Sequence, residues 1–117
     1  MVKHVNMGKT WDEASLSAEP LAIFEDEWSN AFYPYLVHQQ KRYPLLWRVG
    51  REIAGPEGNF QINNTEISEL LNEIELFLTE TSISRKEHEL ITTGLIHFQK
   101  ACLKAKEIGL NIYGDAD

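Results

Sequence analysis

The stretch NNTEISELLNEIELFLTE, followed after a few residues by SRKEHELITTGLIHFQKACLKAKEIG, constrains this chain more than any other feature. In the first segment Ile67, Leu70, Leu71, Ile74, Phe77 and Leu78 recur at i, i+3, i+4 and i+7. At about 100° per residue that spacing gathers them on one helix face about 120° wide. Asn63, with Glu66 three residues on, has the pattern of a capping box. In the second segment Ser84 and Glu87 repeat it. There Ile91, Leu95, Phe98, Cys102 and Ala105 share a face, widened by Leu90, Gly94, Ala101 and Ile108. Gly109 is a left-handed stop, and Leu110 is placed for the contact of a Schellman motif. The two helices are expected over about 64–80 and 84–108, the second about 25 residues and about 37 Å long. The linker around Thr81-Ser82-Ile83 only leaves room to fold back, which predicts an antiparallel helical hairpin. Glu66, Glu69, Glu73 and Glu80 form a strip beside the first apolar face and read as a solvated edge. The side of the second helix carrying His97, Lys100 and Lys104 is expected near them, so that the charges pair internally.

A hairpin of this kind needs a third layer over its apolar faces, and only the N-terminal half can supply it. Pro20 suits the first turn of a helix, and Leu21, Phe24, Trp28, Ala31 and Phe32 keep helical spacing until Pro34 interrupts. Pro44 opens another helix holding Leu45, Leu46, Val49 and Ile53. The sequence from Ala54 to Asn59 is the strongest loop signal in the chain. VKHVN and NFQIN are compatible with short strands. The expected fold is therefore mainly α, with three or four helices and a C-terminal antiparallel helical hairpin. The alternative is α+β, with a small sheet from short strands near 2–6, 43–49 and 59–62. At 117 residues the chain fits one domain, 1–117, with about 1–18 and 111–117 loosely ordered.

Charge narrows the partners. The formal net charge is −7, and residues 59–82 hold five glutamates and no cation. An acidic chain repels nucleic-acid phosphates unless a basic face is segregated, so a nucleic-acid role is a weak alternative. No apolar run approaches the roughly 18 residues of a membrane span. The N-terminal residues lack the apolar centre of a secretory leader, and the one cysteine has no internal disulfide partner. The expectation is a cytoplasmic chain without membrane association.

Catalytic and metal motifs are absent or fail on spacing. Gly8-Lys9-Thr10 matches the end of a phosphate-binding loop, but Lys3 stands where that motif needs glycine. His88 and His97 fall on opposite sides of one helix, and no His or Cys pair has zinc spacing. Cys102 lies mid-stripe and reads as a buried small hydrophobe. Glu52 is a faint general-base candidate, better explained by pairing with Arg48 or Arg51. No catalytic, cofactor or metal residue is assigned.

What is left is FYPYLVHQQKRYPLLWRVGRE, Phe32 to Glu52, rich in aromatics and cations. Trp28, Phe32, Leu36, Leu46 and Trp47 are assigned to the core. Tyr35, Arg42, Tyr43, Arg48 and Arg51 form the candidate interaction patch, since tyrosine and arginine are enriched at binding hot spots. The functional expectation is a non-catalytic protein–protein interaction protein, such as an adaptor or a toxin-neutralising immunity-type protein. Its partner is an unidentified protein or a second copy of itself. The alternatives are a small-ligand domain or enzyme, with its pocket between the hairpin and the aromatic 28–47 segment, and a weak nucleic-acid binder.

Overall fold

A computed structural model describes residues 3–15, 22–24, 26–54 and 59–116. The elements in order are β1 (Lys3–Gly8), α1 (Trp11–Ser15), β2 (Ala22–Phe24), α2 (Asp26–Phe32), a 3₁₀ turn (Tyr33–Tyr35), α3 (Pro44–Ala54), β3 (Phe60–Ile62), a second 3₁₀ turn (Asn64–Glu66), α4 (Ile67–Glu80), α5 (Arg85–Ile108) and β4 (Asn111–Ala116). The architecture is mainly α with a small antiparallel sheet, ordered β2-β1-β4-β3.

The hairpin forms where periodicity places it. Ile67, Leu70, Ile74 and Phe77 of α4 are buried, as are Ile91, Leu95, Phe98, Cys102 and Ala105 of α5. Gly109 ends α5 at φ 74°, and the N–H of Leu110 bonds back to the carbonyl of Ala105 at 2.9 Å, the Schellman closure. The Asn64 side chain holds the same helix end, donating to the carbonyls of Ala105 and Leu110 at 3.2 and 2.9 Å. The second capping box takes another form. Ser84 gives its N–H to the Tyr35 hydroxyl at 3.1 Å, and its Oγ bonds the Glu87 carboxylate at 3.0 Å.

Four expectations are corrected. The helix expected from Pro20 through Phe32 begins only at Asp26. Pro20 and Leu21 lie outside the described residues, and Ala22–Phe24 are a strand paired with Lys3–Val5. Pairing to β1 satisfies the backbone there and overrides helical spacing. The alternative strand at 43–49 is helix, because Pro44 sits at the first position of α3, where a missing N–H costs nothing. The stretches expected to be loose contain the two central strands: β1 and β4 pair over six residues, Lys3↔Ala116 to Gly8↔Asn111. Finally, among the described residues no ion pair joins α4 to α5. Glu66 and Glu80 reach Arg48 and Arg42 instead.

The sheet presents two apolar rows to the helices: Val5–Gly114–Phe60 and Met7–Ile112–Ile62. A side chain at Gly114 would meet the Phe60 ring, so glycine lets that ring lie over the strand, edge-on to Phe98. On the other face Trp11 covers Tyr113, with ring centroids 4.6 Å apart, and the Tyr113 hydroxyl donates to the Lys9 carbonyl at 3.2 Å. Between the helices Trp28 stacks on Phe32, and Phe32 and Tyr43 both meet Phe77 edge-on.

Gly94 explains itself through Trp28. A Cβ at position 94 would lie inside the buried indole, whose Nε1 donates to the carbonyl of Ile91 at 3.3 Å. Replacing a mid-helix glycine by alanine ordinarily stabilises by about 0.5–1 kcal/mol. Here Gly94→Ala should destabilise by about 1–3 kcal/mol, the cost of overpacking. Chemical denaturation checks the sign: a more stable variant would mean that α2 does not seat against α5 through Trp28.

Candidate functional site

The turn from Tyr35 to Tyr43 is built from tight backbone bonds. The N–H of Gln39 bonds the carbonyl of Leu36 at 2.8 Å, and the N–H groups of Arg42 and Tyr43 bond that of Gln39 at 3.1 and 2.9 Å. Leu36 and Tyr43 are buried at its two ends, while residues 38 to 42 are exposed in unbroken succession. The core thus grips the turn at both ends and leaves a polar, basic tip outside.

The structure divides the five patch residues. Tyr35 is half-buried at the α4–α5 turn, accepting the Ser84 N–H and approaching the Glu87 carboxylate at 3.5 Å. Arg42 is exposed, forms an ion pair with Glu80, and lies 5.9 Å over the Tyr43 ring. Tyr43 departs from the expected surface position: it is 2% exposed and packs its ring against Phe77. Arg48 is half-buried, donating to Glu66 at 3.0 Å and to the Gln61 carbonyl at 3.3 Å. Arg51 is exposed and pairs with its neighbour Glu52 at 3.2 Å. Trp47, expected in the core, is half-buried and stacks on Tyr33.

Tyr35, Arg42 and Tyr43 do come together. With Gln39, Glu80, Thr81 and Ser82 they line an open cleft of about 310 Å³ between the turn and the α4–α5 connection. A second hollow, about 380 Å³, is lined by Val37 to Arg42. Arg48 and Arg51 line neither. The cleft is suited to hydrogen bonding and charge recognition. Among the described residues no cluster of three or more His, Cys, Asp and Glu could hold a metal ion. Cys102 is buried, which pushes its thiol up to about 12 and removes it as a nucleophile.

Sequence reasoning also misplaced Glu73, assigned to a solvated edge and only 4% exposed. Its Oε1 accepts the N–H groups of Leu45 and Leu46 at 2.9 and 3.0 Å, so a side chain of α4 caps the N-terminus of α3. The signal for it was present. Tyr43 precedes Pro44 where a cap such as Ser or Asp usually stands, and a buried tyrosine cannot accept those N–H groups. An acceptor had to come from elsewhere, and the cap fixes where the turn emerges. Burial raises the Glu73 carboxyl above its ordinary range. The N–H groups of Leu46 and Leu45 oppose the rise, Glu69 adds to it and Arg48 opposes it. Its Oε2 is buried without a hydrogen-bond partner. For Glu66 burial also disfavours the charge, but hydrogen bonds from Arg48 and Asn63 outweigh it and hold that carboxyl low.

Comparison with protein-family models, with curated proteins and with solved structures finds no match.

The folded chain holds the Glu73 proton to higher pH than the unfolded chain does. The stability contributed by that group is therefore complete below the unfolded value and is lost as pH rises through the folded value. Glu73→Gln keeps an oxygen for both N–H groups and cannot ionise. Its melting temperature should gain on the wild type as pH rises from the ordinary carboxylate value towards neutrality. Glu73→Ala leaves two helix N–H groups without an acceptor and should cost about 1–3 kcal/mol throughout. Melts over a pH series test both, and a pH-independent gap between wild type and Glu73→Gln would contradict the raised carboxyl.

Proposed function

We propose that this is a non-catalytic protein–protein interaction protein, of the adaptor or toxin-neutralising immunity type, which engages an acidic partner through the tip of the 35–43 turn. The observation that carries this reading is the tip itself. His38, Gln39, Gln40, Lys41 and Arg42 are exposed in a row on a turn anchored by Leu36 and Tyr43. A turn whose backbone is already bonded loses little conformational freedom on binding. A basic tip on a chain of net charge −7 is a local exception that steers and orients an acidic surface. The adaptor or immunity assignment is an analogy of class, resting on a small acidic chain with no catalytic constellation among its described residues.

A small-ligand reading has one observation of its own, the cleft of about 310 Å³ between the α4–α5 turn and the aromatic segment. Ligand pockets start near about 300 Å³, but they are mostly apolar and enclosed, whereas this one is polar and open. Two of its groups are also committed: Tyr35 to Ser84, and Arg42 to Glu80. Nucleic-acid binding is weaker still, because Arg48 and Arg51 are each paired with a glutamate.

The test is a tip variant, Lys41→Glu with Arg42→Gln. Both positions are exposed, and loss of the exposed Arg42–Glu80 pair should cost less than about 1 kcal/mol. Pull-down from native lysate, quantified by mass spectrometry, should show proteins retained by the wild type and lost by the variant at an unchanged melting temperature. Identical captured sets would remove the tip as the recognition surface. A ligand screen by thermal shift gives the cleft its own trial, since a small molecule that stabilises the wild type through Gln39 and Ser82 would favour the second reading.

A further inference from the structure

α5 has a second face. Opposite its buried side, Arg85, Glu89, Ile96, Lys100, Leu103 and Glu107 are all exposed. At about 100° per residue they all point within about 40° of the direction of Ile96. Exposed aliphatic side chains scattered singly need no explanation. Ile96 and Leu103, 37% and 53% exposed, would pass without comment if the charges around them were arbitrary. They are not. Among the described residues, Arg85, Glu89, Lys100 and Glu107 make no ion pair within the chain, whereas Arg42, Arg48 and Arg51 all do. The order of their signs is also self-complementary. Arg85 and Glu107 lie eleven residues to either side of Ile96, so a two-fold axis through Ile96 brings each opposite the other in a second, antiparallel copy. Glu89 and Leu103 lie seven residues to either side. Glu89 therefore lands about 4.5 Å along the axis from Lys100 of the second copy, within reach of two long side chains. Lys86 and Lys106 are also symmetric about Ile96, but they project about 80° to opposite sides of the pair and do not meet.

We propose that a second copy of this chain packs antiparallel on this face of α5, as a two-fold dimer centred on Ile96. The interface is isologous, so every contact away from the axis occurs twice: two Arg85–Glu107 pairs and two Glu89–Lys100 pairs flank the two Ile96 side chains, and each Leu103 lies beside Glu89 of the second copy. A 24-residue helix is about 36 Å long, which suits an interface at the small, reversible end of protein association. The contact is independent of the turn at 35–43, since none of its residues lines either hollow there.

Sedimentation equilibrium of the whole chain, from micromolar to millimolar, tests the proposal. A monomer–dimer equilibrium that weakens with added salt is expected. Ile96→Glu places two carboxylates face to face on the axis and should abolish the dimer, with the melting curve of the protomer retained because the side chain is exposed. Arg85→Glu should weaken association about tenfold or more, and adding Glu107→Arg to it should restore the wild-type value by exchanging the signs. A chain that stays monomeric throughout, a dimer indifferent to Ile96→Glu, or a charge exchange that fails to restore association would each overturn the proposal.

Discussion

The contact on which this arrangement turns is the bond between the Glu73 carboxylate and the first N–H groups of α3. A helix that opens on proline has one orphan donor fewer, but Leu45 and Leu46 still need an acceptor. The residue ahead of the proline, Tyr43, is drawn into the core against Phe77 and cannot serve. The cap therefore comes from a neighbouring helix, 28 and 27 residues further along the chain from the two donors: Glu73 lies on α4, between Leu70 and Phe77 in sequence. One side chain thus sets where α3 starts, how it lies against α4, and where the turn at 35–43 reaches solvent. Burying a carboxylate is costly, and the raised titration of Glu73 records that cost. What offsets it is a helix end that would otherwise face the core with two unmet donors.

The same contact explains why α4 presents a different face to the core than its apolar residues suggest. Its buried positions are Ile67, Leu70, Glu73, Ile74 and Phe77, while Leu71 and Leu78 are only half-buried. Relative to the apolar arc, the buried face is rotated by about 40° towards the glutamates. α3 lies on that side, and its packing decides the rotation. The glutamate strip then divides by depth: Glu73 caps a helix inside, Glu66 ties down Arg48 at the margin, and Glu80 holds Arg42 outside.

The sequence made the helices legible and about half of the sheet: the short strands expected near 2–6 and 59–62 form as β1 and β3, while β2 and β4 went unread. α4 and α5 could be placed within a few residues because periodicity, spacing and the Gly109 stop are local signals that agree with the tertiary outcome. Strands depend on partners far along the chain. β1 pairs with a strand more than a hundred residues away, and NIYGDA carries a glycine and two polar residues that read locally as a tail. Only its setting shows why those residues suit a strand: Gly114 makes room for Phe60, and Tyr113 is covered by Trp11. At the candidate site, composition marked the segment but could not separate depth. Tyr43 and Arg42 are neighbours in sequence, one buried and one exposed, because the tight turn at Gln39 points them to different sides.

That separation has a consequence for how the turn could recognise anything. Because Tyr43 is committed to the core, with the Arg42 guanidinium over its ring, it offers no free aromatic anchor. Arg42 is also not idle, since Glu80 already satisfies it. An acidic group approaching the tip must compete with that glutamate, exchanging one exposed pair for another, and such exchanges yield little net energy. Under the proposed role, selectivity at the tip would have to come from groups without such a competitor. Lys41 makes no ion pair among the described residues, and the Gln39 and Gln40 side chains are exposed beside it. Affinity would arise from several modest polar contacts on a prearranged backbone, the kind of surface that favours reversible association over tight, permanent docking.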